Sequence, residues 1–225
     1  MRILITGTDT NVGKTWVASA LSHALRGAGK QVVAIKPVET GCSDPPTVRE
    51  DGVLLAHATG QTQPAHAILR LSEPGAPVLA GDAADDGLDF DALVLKIERH
   101  AEGVDFLLIE GTGGLLTPVT WEWNMTDVAR TLGACALVVA VDRMGVINHT
   151  LLTLSALELA GIPCVGVVLT APGGKDRSAA ANAAAIARLS GMERVLVVPR
   201  AADPQEATGL MTTVVSWLGR VAAPT

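Results

Sequence analysis

Near-uninterrupted apolar runs recur along the chain, and between them apolar positions fall at steps of three and four residues. The runs at 3–5, 31–35, 104–109, 136–141, 165–169 and 195–198 lack polar alternation, so each predicts a strand buried on both faces. After the first run, Val17, Leu21, Ala24, Leu25 and Ala28 are spaced four, three, one and three apart, which draws one face of a helix. Further helices are predicted at 52–59, 90–99, 127–132, 148–160, 178–189 and 206–220. The last of these carries Leu210, Met211, Val214, Val215 and Leu218 on one face. Residues 38–48, punctuated by Gly41, Pro45 and Pro46, read as a loop. Residues 72–89, rich in Pro, Gly and Asp, read as an irregular surface excursion that shapes a pocket rather than performing chemistry. Alternating strands and helices predict one α/β domain over residues 1–225, a mostly parallel sheet covered by helices on both faces.

Composition narrows the class. The chain has 225 residues, 48% of them hydrophobic, with two Phe, four Trp and no Tyr, so the core must be aliphatic. A net charge of −6 argues against a general positive field, and nucleic acid is not expected as a partner. Cys42, Cys135 and Cys164 are odd in number and widely spaced, as expected of reduced thiols in a cytoplasmic protein. No run approaches ~18 apolar residues, and the N-terminus leads straight into a strand, so neither a membrane span nor a targeting segment is expected.

The stretch Gly7-Thr8-Asp9-Thr10-Asn11-Val12-Gly13-Lys14-Thr15 lies between the first strand and the first helix. In that setting backbone N–H groups and the positive end of a helix dipole converge on phosphate. Lys14 would reach the β- and γ-phosphates and the Thr15 hydroxyl would meet Mg²⁺. The entry to the loop departs from the usual spacing, since five residues rather than four lie between Gly7 and Gly13 and Thr8 stands where the first glycine is expected.

Other candidates sit at strand ends, where open parallel sheets bind ligands. Lys36, before Pro37, would add a second cation suited to phosphoryl transfer. Glu110 and Asp142 each end an apolar run as possible metal-holding acids. The glycines after Glu110 favour it, because they let backbone approach phosphate. On position alone Asp51 is an acid at a helix start and Asp127 a cap. The five histidines show no metal-ligand spacing, so no zinc site is expected. Asn148 reads as the ordinary cap of a helix that is apolar nearly all round, buried in the core or against a second subunit.

Taken together, Gly7–Thr15, Lys36-Pro-Val-Glu-Thr-Gly41, Glu110-Gly-Thr-Gly-Gly114 with Thr117-Pro118, and Gly145-Val-Ile-Asn-His149 resemble the successive motifs of dethiobiotin synthetase. The resemblance implies a homodimer of P-loop type with shared active sites, using ATP, Mg²⁺ and CO₂ to close the ureido ring of diaminopelargonic acid. It implies Lys14 and Lys36 as catalytic cations, and Thr15, Asp51 and Glu110 around Mg²⁺. Nucleotide would also meet Asn11, Val12, Gly13, Trp16, Gly111, Thr112 and Gly113, with Thr170 and Pro199 toward the base. Thr40 would touch substrate, and Asn148 would hold its carboxylate from the neighbouring subunit. Asn11 stands where relatives often have Glu, Thr112 where Ala is common and Thr40 where Ser is frequent. Thr170-Ala171 replaces an Asn-Asp pair that reads adenine, which implies loose base selectivity. The alternative from another class is a partitioning-type regulatory ATPase. Its loop would carry a signature lysine, where this chain has Asp9-Thr10-Asn11.

Overall fold

The computed structural model describes residues 1–80, 89–172, 179–199 and 203–219. The chain runs β1 (Arg2–Gly7), α1 (Lys14–Gly27), β2 (Val32–Ile35), β3 (Val38–Thr40), α2 (Asp51–Thr59), β4 (Leu69–Leu71), α3 (Phe90–Arg99) and β5 (Phe106–Glu110). It continues α4 (Met125–Thr131), β6 (Cys135–Val141), α5 (Val146–Leu159), β7 (Cys164–Thr170), α6 (Ala179–Ser190), β8 (Val195–Val198) and α7 (Thr208–Leu218). The predicted α/β class is the observed one.

Six strands form a parallel sheet in the order β2-β5-β1-β6-β7-β8. The winding reverses beside β1, and a crevice at the carboxyl ends of the strands follows from that reversal. Period-two alternation sends the two faces of each strand into separate cores. Ile3, Ile5, Leu137 and Val139 pack with α1, α2 and α7, while Leu4, Ala136, Val138 and Ala140 pack with α3, α4, α5 and α6. Ile3, Leu4 and Ile5 are fully buried, each contributing ~1.5–3 kcal/mol of transfer free energy. The β6–β7 register shifts at Ala136/Leu137. Near that irregularity Gly166 leaves room for the Trp217 ring of α7, which a Cβ would approach to 2.6 Å.

Several local expectations need correction. Residues 38–40 are not loop: Val38–Thr40 pairs in parallel with Leu69–Leu71 as a separate two-stranded sheet. Three residues are too few to show a period, and their partner lies about thirty positions on. Asp127 does not cap α4. Asn124 does, and Asp127 Oδ2 accepts the Asn124 N–H in a reciprocal capping box. Asn148 does not cap α5, because Gly145 in a left-handed conformation begins that helix and Asn148 is its third residue. The 72–89 excursion is not wholly surface: Val78 and Ala80 are buried around a short 3-10 turn at Pro77–Leu79. Its residues 81–88 lie outside the described ones. At the last helix Glu206 belongs to a preceding 3-10 turn and Leu210 is exposed. The expected ends of two helices, Ser178 and Arg220, lie outside the described residues.

Candidate active site

The loop after β1 is shaped by its glycines. A Cβ on Gly7 would stand 2.7 Å from Val12 Cγ2 and 2.8 Å from the Asp9 carbonyl. Asn11 and Gly13 both take positive φ, and Gly13 begins α1 without a side-chain cap. The first turn of α1 holds no acid, so no carboxylate of its own offsets the helix dipole at the cleft. Lys14, only 6% exposed, folds back so that Nζ donates to the Asp9 carbonyl at 3.0 Å.

Beside this loop three strand or helix ends deliver charge to one point. Lys36, just past β2, donates from Nζ to Asp51 Oδ2 at 2.8 Å and to Glu110 Oε1 at 2.7 Å. Thr15 Oγ1 lies 2.8 Å from Asp51 Oδ1 and 2.9 Å from Glu110 Oε1, so its single proton serves one of them at a time. Glu110 is 1% exposed, and its Oε2 has no hydrogen-bond partner among the described residues. Burial alone would discharge Lys36, but Glu110 and Asp51 outweigh it and hold its pKa above the ordinary value. Burial, with Asp51 nearby, pushes the Glu110 carboxyl up against the pull of Lys36. The Asp51 carboxyl is held down, against its own burial, chiefly by Lys36. Burial and then the charge of Lys36 lower Lys14 to about 8.

Lys14 and Lys36 balance Asp51 and Glu110 in formal charge. A polyphosphate entering here would therefore bring negative charge that the four side chains do not cancel. Thr15, Asp51 and Glu110 form an all-oxygen donor set, and Glu110 Oε2 is an orphaned acceptor within it. Such donors suit a hard divalent cation.

These groups line a cleft of about 700 Å³ at the carboxyl edge of the sheet. Asn11, Gly13, Lys14, Thr15, Trp16, Lys36, Thr40, Asp51, Glu110, Thr112 and Gly113 all contribute to its wall. Val12 is buried, so only its backbone is suited to meet a ligand. Gly111 touches the cluster through its carbonyl, 3.4 Å from Lys36 Nζ. Thr40 Oγ1 donates to the Gly75 carbonyl and Thr112 Oγ1 to the Val38 carbonyl. Thr170 stands behind the loop, its hydroxyl 3.0 Å from the Val12 carbonyl and 3.3 Å from that of Ala140.

Three further candidates also lie away from the cleft wall. Asp142 is buried elsewhere and accepts from Asn182 Nδ2 at 2.8 Å. Pro199 follows β8 and is exposed. Asn148 is exposed on α5. The sequence reading missed Glu39, Arg49 and Pro204, all of which line the cleft. Glu39 sits inside the Lys36–Gly41 motif, and an acid so close to Lys36 was the available signal. A second cavity of about 800 Å³ opens at the opposite sheet edge, where Arg2 and Arg130, paired with Glu98 and Asp127, stand among mostly apolar residues.

Residues 1–208 match the family model described as an AAA domain. The ATP-dependent dethiobiotin synthetase BioD of Anaeromyxobacter dehalogenans (strain 2CP-C) is 39% identical over 202 residues, covering 88% of this chain and 89% of that protein. The protein of the same name from Aquifex aeolicus (strain VF5) is 36% identical over 220 residues, 97% of each chain. That from Methanocaldococcus jannaschii is 38% identical over 173 residues, 74% of this chain and 78% of the other. Among solved structures, the cell division ATPase MinD of Pyrococcus furiosus superposes with a TM-score of 0.57 at 20% identity, covering 98% of this chain and 99% of that one. At that identity the likeness speaks for the fold alone. With a phosphate-type loop and paired lysines in one cleft, and close relatives over nearly its whole length, the chain belongs to the ATP-dependent dethiobiotin synthetase family of ligases.

Proposed function

We propose that this chain carboxylates 7,8-diaminopelargonic acid with CO₂ and closes the ureido ring of dethiobiotin, with conversion of ATP to ADP and phosphate. The observation that carries the reading is the Lys36–Glu110–Asp51–Thr15 cluster beside the Lys14 loop. One substrate amine adds to CO₂ and loses a proton, giving a carbamate without a protein nucleophile. The carbamate oxygen then attacks the γ-phosphate, the bond to the ADP oxygen breaks, and a carbamic–phosphoric anhydride forms. The second amine attacks its carbonyl, and phosphate leaves as the ring closes.

The chain's residues contribute position and charge. Lys14 and the loop N–H groups hold the phosphates and offset charge on the transferring group. Lys36, fixed between two carboxylates, would offer its ammonium to the carbamate and phosphoryl oxygens. Thr15, Asp51 and Glu110 would hold Mg²⁺, which supplies further neutralisation of phosphate charge when bound. Trp16, Thr112 and Gly113 would border the nucleotide and Thr40 the substrate.

A homodimer with shared sites completes the proposal. Helix α5 exposes Leu152 and Leu159 at 62% and 91%, with Met144 before it and Leu116 nearby on the loop after β5 also exposed. An apolar face of this kind suits a second copy, whose Asn148 would reach the substrate carboxylate. The free thiols of Cys42, Cys135 and Cys164 suit a reducing, cytoplasmic setting.

Coupling tests the reading. Phosphate release from ATP should require diaminopelargonic acid and bicarbonate together. Release at full rate without the diamine would favour a regulatory ATPase instead.

A further inference from the structure

Helix α2 begins without a cap of its own. Its N-cap residue, Glu50, makes no side-chain bond to the first turn. The Glu50 carboxylate accepts instead from Arg70 Nε at 3.0 Å and Nη2 at 2.9 Å, and from the N–H groups of Ser43 and Thr47. The open N–H groups of the helix are taken by a residue twelve positions earlier. Glu39 Oε1 accepts from the Asp51 N–H at 2.5 Å, and Glu39 Oε2 from the Gly52 N–H at 3.0 Å.

Glu39 and Arg70 face each other across the two-stranded sheet, as registered partners of β3 and β4. One holds residues 51 and 52 by their amides and the other holds residue 50 by its carboxylate. The helix start is also pressed against the chain before β4: a Cβ on Gly52 would lie 2.2 Å from the Ala67 nitrogen. Asp51 is the first helical residue, and its carboxylate is the member of the cluster that does not come from the main sheet or α1. The small sheet thus acts as a bracket that aims Asp51 across at Thr15 and Lys36.

We propose that Glu39 is a positioning residue whose two-amide grip sets Asp51 for metal and phosphate binding. The inference rests on the metal-site reading above. A carboxylate across the first two amides of a helix also complements the helix dipole, and unpaired amides at that buried point would pull the turn away. Glu39 itself is 7% exposed and both of its oxygens are engaged, so it acts through Asp51.

The test is binding of a non-hydrolysable ATP analogue by calorimetry, with and without Mn²⁺, in the full chain and in Glu39→Ala, Glu39→Gln and Asp51→Asn. The manganese-dependent gain in affinity should fall about tenfold or more in Glu39→Ala, the usual cost of losing a residue that orients a ligand. Metal-free analogue binding should stay near the original, which a general loss of structure would not allow. Glu39→Gln, able to accept one of the two N–H groups, should fall between. It carries the test by itself if Glu39→Ala does not fold. An undiminished manganese gain in a folded Glu39 variant, with Asp51→Asn impaired, would overturn the positioning role. An undiminished gain in Asp51→Asn would overturn the metal-site reading beneath it.

Discussion

Lys36 Nζ stands 2.7 Å from Glu110 Oε1, although the two residues are 74 positions apart. They meet because β2 and β5 are sheet neighbours whose carboxyl ends lie side by side. Both side chains are buried, so without Lys36 the Glu110 carboxylate would be a stranded charge, at a cost of ~3–5 kcal/mol, unless another cation took its place.

Glu110→Gln should therefore need much more Mg²⁺ for half-maximal activity, while Asp142→Asn should not. Asp142 is engaged with Asn182 rather than with the lysines. Titration of Mg²⁺ against activity in the two variants checks this. A raised requirement in Asp142→Asn alone would assign the metal to the wrong strand.

Lys14 gives a pH dependence. Burial, helped by Lys36, brings its folded pKa from 10.5 to about 8. For a base lowered in the fold, the ammonium weakens the folded state below that value, and the cost fades as pH rises from about 8 toward 10.5. For binding the sign is opposite, because phosphate needs the ammonium. Metal-free nucleotide affinity should fall above pH 8, by at most about tenfold per unit. Calorimetry from pH 7 to 10 measures it, and Lys14→Arg should give a flatter profile. Lys14→Ala should stay folded and lose ~10²–10³ in turnover.

Much of this site was legible in the sequence, for identifiable reasons. Lys36 and Glu110 sit at the ends of apolar runs and Lys14 closes the glycine loop after another, and a parallel sheet gathers such ends at one edge. The brace was not legible. Glu39 caps a helix twelve residues away, a relation that neither periodicity nor local capping rules express. Strand β3 was hidden for the same reason, since its three residues gain their identity only from Leu69–Leu71. Asn148 looked like a cap because asparagine commonly is one, whereas Gly145 takes that place by backbone conformation alone.

Base selectivity should be loose. The Thr170 hydroxyl is already near the Val12 and Ala140 carbonyls, which leaves it poorly free to question a base. Strong rejection needs buried polar groups that a wrong base leaves unpaired. GTP and CTP should support turnover within about tenfold of ATP. A preference for ATP above a thousandfold would show that other groups read adenine.

Shared sites predict complementation. Asn148 is exposed and stands outside the cleft of its own chain, so Asn148→Ala should raise the KM for diaminopelargonic acid and spare ATP binding. Mixing Lys36→Ala and Asn148→Ala proteins, with subunit exchange verified by mass, should restore part of the activity. Each mixed dimer would hold one intact site and one doubly damaged site. No recovery would mean that each chain builds its site alone.

The most direct measurement follows product by mass after mixing the protein with ATP, Mg²⁺, ¹³C-bicarbonate and diaminopelargonic acid. Dethiobiotin carrying one ¹³C at its ureido carbon, formed in step with ADP, is the predicted result. ADP accumulating from a folded protein with no labelled dethiobiotin would contradict it.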